Sequence, residues 1–329
     1  MLARLRIDPY LIALAATVAL ASVLPATGAA APVVSTATDL AIALLFFLYG
    51  ARLSPQAILA GITHWRLQSV ILVSTYLLFP LLGLALAALV GGRVSGPLAT
   101  GLVFVCLLPS TVQSSIAFTS IARGNVPAAL CAASVSNMLG VVLTPVLVAL
   151  VLHADAGFSL KAFRDIAVQL LLPFVAGQLV RPWLGPLLAR HKKAIGYVDR
   201  GSILLVVYEA FGAGVVAGIW SEIGGADLAI VIAVDVVLLA VVLVATTFAA
   251  RALGFSKADE IAIVFCGSKK SMASGIPMAG ILFPAATVGL VVLPLMLFHQ
   301  IQLFACAFLA QRYAARPAEE APAEVVSGG

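Results

Sequence analysis

Charge is what this chain lacks. Only 10% of its 329 residues are Asp, Glu, Lys or Arg, while 62% are hydrophobic. Soluble domains carry about 25% charged residues, so no soluble domain of any size fits here. The net charge of +5 belongs to residues at the ends of apolar runs, which excludes a continuous basic face for nucleic acid. The four cysteines, Cys106, Cys131, Cys266 and Cys306, all lie in apolar stretches without metal-ligand spacing. They read as small apolar residues, and neither a disulfide frame nor a thiolate metal centre is expected. The catalytic patterns HExxH and GxSxG are missing. The stretch GSKKS lacks the earlier Gly and the Gly-Lys step of a phosphate loop. Glu209 and Asp235 are the only carboxylates well inside apolar runs, too little for an intramembrane enzyme with paired catalytic acids.

What is there is a series of long apolar runs. A helix needs about 20 apolar residues to span a membrane. On that measure the sequence reads as an all-α membrane protein with about ten transmembrane helices, near 9–28, 37–53, 67–91, 97–122, 127–152, 164–186, 199–219, 226–251, 258–283 and 286–313. With the N-terminus inside, fourteen Lys and Arg fall in inner loops and only Arg93, Lys161 and Arg164 in outer ones. That bias follows the positive-inside rule and sets both termini in the cytoplasm. Arg4 and Arg6, a short apolar run and ATGAAA also fit a cleaved signal peptide. Residues 317–329 read as a disordered polar tail.

Two runs are interrupted in the middle: the fourth at PSTVQSS and the ninth at GSKKS. The chain divides at the polar link near 153–163 into a first repeat, 1–153, and a second, 164–316, with five spans each. Five is odd, so the second half enters from the opposite side. Broken segments at matching places in two inverted halves point to a secondary transporter's binding site. Interruption frees backbone groups that lipid cannot satisfy. Gln113, Ser114 and Ser115 in the first break, and Ser268, Lys269, Lys270 and Ser271 in the second, are therefore the candidate substrate- or ion-binding residues. An ammonium inside a span costs several kcal/mol unless it faces protein or a polar cavity. At least one of Lys269 and Lys270 is expected to be functional, with Lys270 preferred, and a lysine buried without a partner would be a candidate proton carrier.

The segments PSTVQSSIAFTSIARGNVPAAL (109–130) and FCGSKKSMASGIPM (265–278) resemble the bile acid:sodium symporter superfamily. Within it they are most similar to the bacterial branch related to the seventh member of human solute carrier family 10. The likeness runs over nearly the whole chain. It implies a core of spans 3–5 and 8–10, in which broken spans 4 and 9 cross, and a panel of spans 1, 2, 6 and 7. Substrate would bind between them, and rocking of core against panel would give alternating access. It also implies a bacterial inner-membrane location and a small organic anion as substrate.

The departures from the family are informative. In sodium-coupled members one sodium site uses a Ser-Asn pair in span 4, two hydroxyls in span 5 and a Glu in span 9. Here Ser114 and Ser115 match the pair, with Ser for Asn. Ala129 and Ala133 stand at the span 5 positions, Phe265 at the Glu, and Lys269-Lys270 replace Gln-Asn. No metal site is expected with certainty; the oxygen ligands left for sodium are Ser114, Ser115 and Ser134. Coupling to sodium of the usual kind is expected to be weakened or absent, leaving sodium, protons or no ion as coupling partner, and no other cofactor.

Asn137 on span 5 reads as part of the core's hydrogen-bond network. Glu209, on the panel, reads as a substrate or proton contact or as a lysine's ion-pair partner. Asp235 reads as lying close to the outer interface. His299, Gln300 and Gln302 on span 10 fit helix–helix bonds as well as ligand contacts. The expected partners are a small organic anion and membrane lipid, not nucleic acid; the oligomeric state is open. The rival function is a non-transporting membrane regulator of ion, specifically calcium, homeostasis.

Overall fold

The structure is a computed structural model, and it describes residues 9–52, 64–90, 92–152, 160–218, 221 and 223–316. The tail at 317–329, Arg4 and Arg6, and most of the link at 153–159 lie outside the described residues. Among the described residues every regular element is helical. In chain order they are α1 (Pro9–Val23), α2 (Ala30–Arg52), α3 (Trp65–Val90), α4 (Gly96–Leu107), α5 (Gln113–Ile121), α6 (Val126–Leu152), α7 (Leu160–Arg190), α8 (Lys192–Val216), α9 (Gly225–Ala252), α10 (Lys257–Gly267), α11 (Met272–Leu282) and α12 (Ala285–Ala314). Five of these, α2, α3, α6, α9 and α12, are long and apolar enough to cross a membrane by themselves. Shorter apolar helices cover Ile12–Val23 and Gly96–Leu107.

Local chemistry explains several ends. Pro109 has no N–H and pushes Leu108 into extended backbone (ψ 156°), so α4 stops at Leu107. Ser256 starts α10 by accepting the Asp259 N–H, and Ser271 starts α11 by accepting the Ser274 N–H. Within α3 the turn at Ser74–Leu78 is wider than α-helical: the Phe79 N–H reaches back five residues to Ser74 O.

Two groupings of helices share the packing. α2 lies along α7, and α8 packs on α1 and α2. Elsewhere α12 packs on α4, α9 and α11, while α10 packs on α9, α6, α3 and α5. The groupings meet mainly where α8 lies on α12 and α11. Large buried side chains fill the interior, with Phe79 edge-on to Phe298 at 6.2 Å and Phe104 edge-on to Phe283 at 5.1 Å. Large apolar residues such as Leu179, Val244, Phe248 and Phe308 are exposed on the outside, as a lipid-facing surface requires.

Candidate functional site

The link 108–112 between α4 and α5 packs against the link 268–271 between α10 and α11. One main-chain bond joins them directly, Ser271 N–H to Pro109 O at 2.9 Å. Around it, side chains from each link satisfy the helix ends of the other.

The last carbonyls of α10 run out of helical donors, and hydroxyls meet them. Val264 O still accepts the Ser268 N–H (3.2 Å) and takes Ser268 Oγ as well (2.6 Å). Beyond it, Ser115 donates to Phe265 O (2.9 Å), Ser110 to Cys266 O (2.6 Å) and Ser74 to Gly267 O (2.8 Å). The end of α4 is met differently. Thr144 donates to Leu107 O (2.9 Å), while Lys270 Nζ donates to Cys106 O (2.9 Å) and Leu108 O (2.7 Å). A third bond runs from Lys270 Nζ to Thr75 O (2.9 Å). That carbonyl is free because Phe79 N–H has gone to Ser74 and Pro80 has no N–H to follow in the same register. The Phe79 ring closes the remaining side, 4.0 Å from Nζ. Gln302 reads the Lys270 peptide at both ends, accepting its N–H and donating to its C=O, each at 3.0 Å. Gln302 Nε2 also lies 2.9 Å from His299 Nδ1, so that ring nitrogen is the acceptor and the proton sits on Nε2.

Lys269 points elsewhere. Its Nζ donates to Ser114 O (2.9 Å) and lies 3.9 Å from the Phe118 ring and 5.3 Å from Phe265. Both lysine side chains are completely buried, and among the described residues neither has a carboxylate partner.

Of the other predicted residues, Ser114 has a buried hydroxyl without a partner among the described residues. Gln113 is exposed. Asn137, half-buried, accepts from Ser274 Oγ at 2.8 Å. Ser134 is half-buried and makes no hydrogen bond among the described residues; Ala129 and Ala133 on the same helix are wholly buried. Glu209 is half-buried on α8 and pairs with no lysine among the described residues. Asp235 is fully enclosed on α9, and neither oxygen has a partner among the described residues. The four cysteines are free and buried, and the described residues hold no cluster of His, Cys, Asp or Glu fit for a metal.

Sequence reasoning did not single out Ser74, Thr75, Thr144 or Phe79, which close the cage around the links. It also passed over Glu260. That carboxylate accepts from Arg251, Lys257 and Tyr313 at 2.7–3.2 Å and ties the ends of α9, α10 and α12 together. An Arg, a Lys and a Glu within ten residues was the signal for it, and it falls at a span end where charges are ordinary.

Long apolar helices packed around buried polar links mark an integral multi-pass membrane protein. The family model described as the SBF-like CPA transporter family matches residues 8–315, and the chain belongs to that family of transporters. It is 56% identical over 318 residues, 96% of each chain, to a protein of Pseudomonas aeruginosa. It is 54% identical over 308 residues, 93% of each chain, to the Escherichia coli protein named "Putative symporter YfeH". It is 30% identical over 273 residues, 82% of this chain and 80% of the other, to sodium/bile acid cotransporter 7 of Rattus norvegicus.

Proposed function

We propose that this protein is a secondary active transporter of a small organic anion, working by alternating access in a bacterial inner membrane with both termini in the cytoplasm. The observation that carries the reading is the mutual packing of the 108–112 and 268–271 links, with two lysines buried among them. In this reading α4–α5 and α10–α11 are spans 4 and 9, interrupted and crossing, in two inverted five-span repeats. The core is α3–α6 with α9–α12, and the panel is α1, α2, α7 and α8. The packing of α2 on α7 and of α8 on α1 and α2 supports the panel. An anionic substrate suits a site whose fixed charges are positive, and the rat relative's name speaks of bile acid.

Sodium is not the driving ion at the usual positions. Ala129, Ala133 and Phe265 offer no side-chain oxygen, which leaves Ser114 and Ser115 as the remaining hydroxyls of the usual set. Ser114 has a free hydroxyl, but its carbonyl already carries the Lys269 ammonium or amine. Lys269 is the residue placed to answer substrate charge, since one carbonyl and two ring faces hold it less fully than three carbonyls hold Lys270.

Uptake of labelled taurocholate and of smaller carboxylates and sulfates into liposomes tests the reading. Accumulation should be equal in sodium and in choline, and should be lost in Lys269→Ala while the protein still unfolds cooperatively. Full uptake in Lys269→Ala would remove this lysine from the site. A strict sodium requirement would overturn the coupling argument.

A further inference from the structure

The three bonds of Lys270 fix its charge by counting. A neutral amine has two N–H groups and a lone pair; an ammonium has three N–H groups and none. Three carbonyl oxygens stand 2.7–2.9 Å from Nζ. A neutral amine would leave one of them facing a lone pair in a dry interior, where an unsatisfied acceptor costs about 1–3 kcal/mol. The geometry therefore demands three donors on Lys270. Lys269, with one carbonyl acceptor, makes no such demand.

The acceptors are of one kind. Cys106 O and Leu108 O stand at the C-terminal end of α4, where the partial charge of the helix is negative. Thr75 O is the carbonyl released by the wide turn of α3 and by Pro80. The fourth side is the face of Phe79, whose electron density is also negative. Converging carbonyls, a helix C-terminus and a ring face together make a cation site. The three partners are all main-chain carbonyls, and among the described residues the positive charge in the cage is the one Lys270 supplies.

We propose that the 75/106/108 carbonyl cage is a binding site for a small monovalent cation, permanently filled by the Lys270 ammonium as a tethered ion. In other words, the end of α4 depends on a cation to hold it against α3 and α11, and the chain carries that cation covalently instead of drawing it from solution. The wild-type protein is then indifferent to the alkali ion in the buffer. Removing the tether turns the cage into an exchangeable site with a preference for N–H donors that fit three carbonyls. The proposal does not depend on what the protein transports, because its readout is stability.

The experiment is thermal unfolding of purified protein in detergent at constant ionic strength. Wild type should melt at the same temperature in sodium, potassium, ammonium and tetramethylammonium chloride. Lys270→Ala should melt lower, and ammonium or n-propylammonium should raise it again, several degrees above the same concentration of tetramethylammonium, which has equal charge but no N–H. Lys269→Ala should show no such ammonium selectivity. A Lys270→Ala protein that responds to ammonium and tetramethylammonium alike, or to neither, overturns the proposal. Should Lys270→Ala yield no folded protein, wild type labelled with [15N]lysine decides the matter. Among its six lysines, at least one must give a fully protonated NH3+ signal protected from solvent exchange; the absence of any such signal overturns the proposal equally.

Discussion

Ser110 and Ser115 show how a few hydroxyls let a helix end inside a protein. Each sits in the 108–121 region and donates to a terminal carbonyl of α10, more than 140 residues away in sequence. In lipid or in a dry interior no water replaces a missing donor. Ser110→Ala and Ser115→Ala should therefore each lower stability by about 1–3 kcal/mol, the cost of a buried carbonyl left unmet. Ser134→Ala is the matched control: its hydroxyl is half-buried with no hydrogen bond among the described residues, and its loss should change stability by less than about 0.5 kcal/mol. Unfolding in a graded mixture of dodecyl sulfate and mild detergent reads all three. Equal effects in the three variants would show that the capping geometry carries no special weight.

At the scale of elements, close approach between helices is set by glycine. A Cβ built on Gly50 of α2 would lie 2.0 Å from Phe174 O of α7, and one on Gly177 of α7 would lie 2.0 Å from Phe47 O of α2. The contact is reciprocal, and Gln178 Nε2 adds a bond to Gly50 O at 2.8 Å. Small residues of this kind let helix backbones touch in membrane proteins. Gly177→Ala must force the two helices apart and should lower the melting temperature by several degrees. Gly201→Ala on α8 has open space around the new methyl and should be neutral or gain up to about 1 kcal/mol from helix propensity. The helical class and the membrane character were legible in the apolar runs, and Pro109 marked where α4 ends. The wide turn in α3 was not legible. Ser74 and Thr75 look like ordinary small polar residues of a membrane helix, and only a fold that brings Lys270 beside them reveals that Thr75 O has no other donor. The directions of the two lysines were hidden for a simpler reason. The pair lies in a link outside both helices, so no helical period assigns their directions, and sequence does not say which carbonyls lie on either side. Lys270, the lysine preferred from the sequence, is the more completely bonded of the pair, and Lys269 is held by a single hydrogen bond.

For the whole molecule, the reading of a panel rocking against a core rests on contacts that can change. Within each grouping the ties are strong. Arg52 of α2 and Asp199 of α8 form a two-pronged ion pair at 2.8 and 2.9 Å, and Glu260 binds three partners across α9, α10 and α12. Between the groupings the contact is mainly apolar, where α8 lies on α12 and α11, and among the described residues the polar ties are few. Tyr49 of α2 donates to Ala273 O, near the start of α11, at 3.4 Å, a long and weak bond. Ala273 is exposed, and its neighbour Ser274 holds Asn137. Bodies that meet through apolar packing with few polar ties can slide or hinge against one another. Cysteines at positions 49 and 273, joined by a short bis-maleimide linker, would weld α2 to α11 next to the 268–271 link. The native cysteines are buried and should react slowly under the same conditions. Linking should reduce transport by at least tenfold, whereas a linker between positions 52 and 199, both in the proposed panel, should leave transport close to its unlinked level. Transport that survives the 49–273 link undiminished would mean that α2 and α11 keep their relation through the cycle, and the boundary between moving bodies would have to be drawn elsewhere.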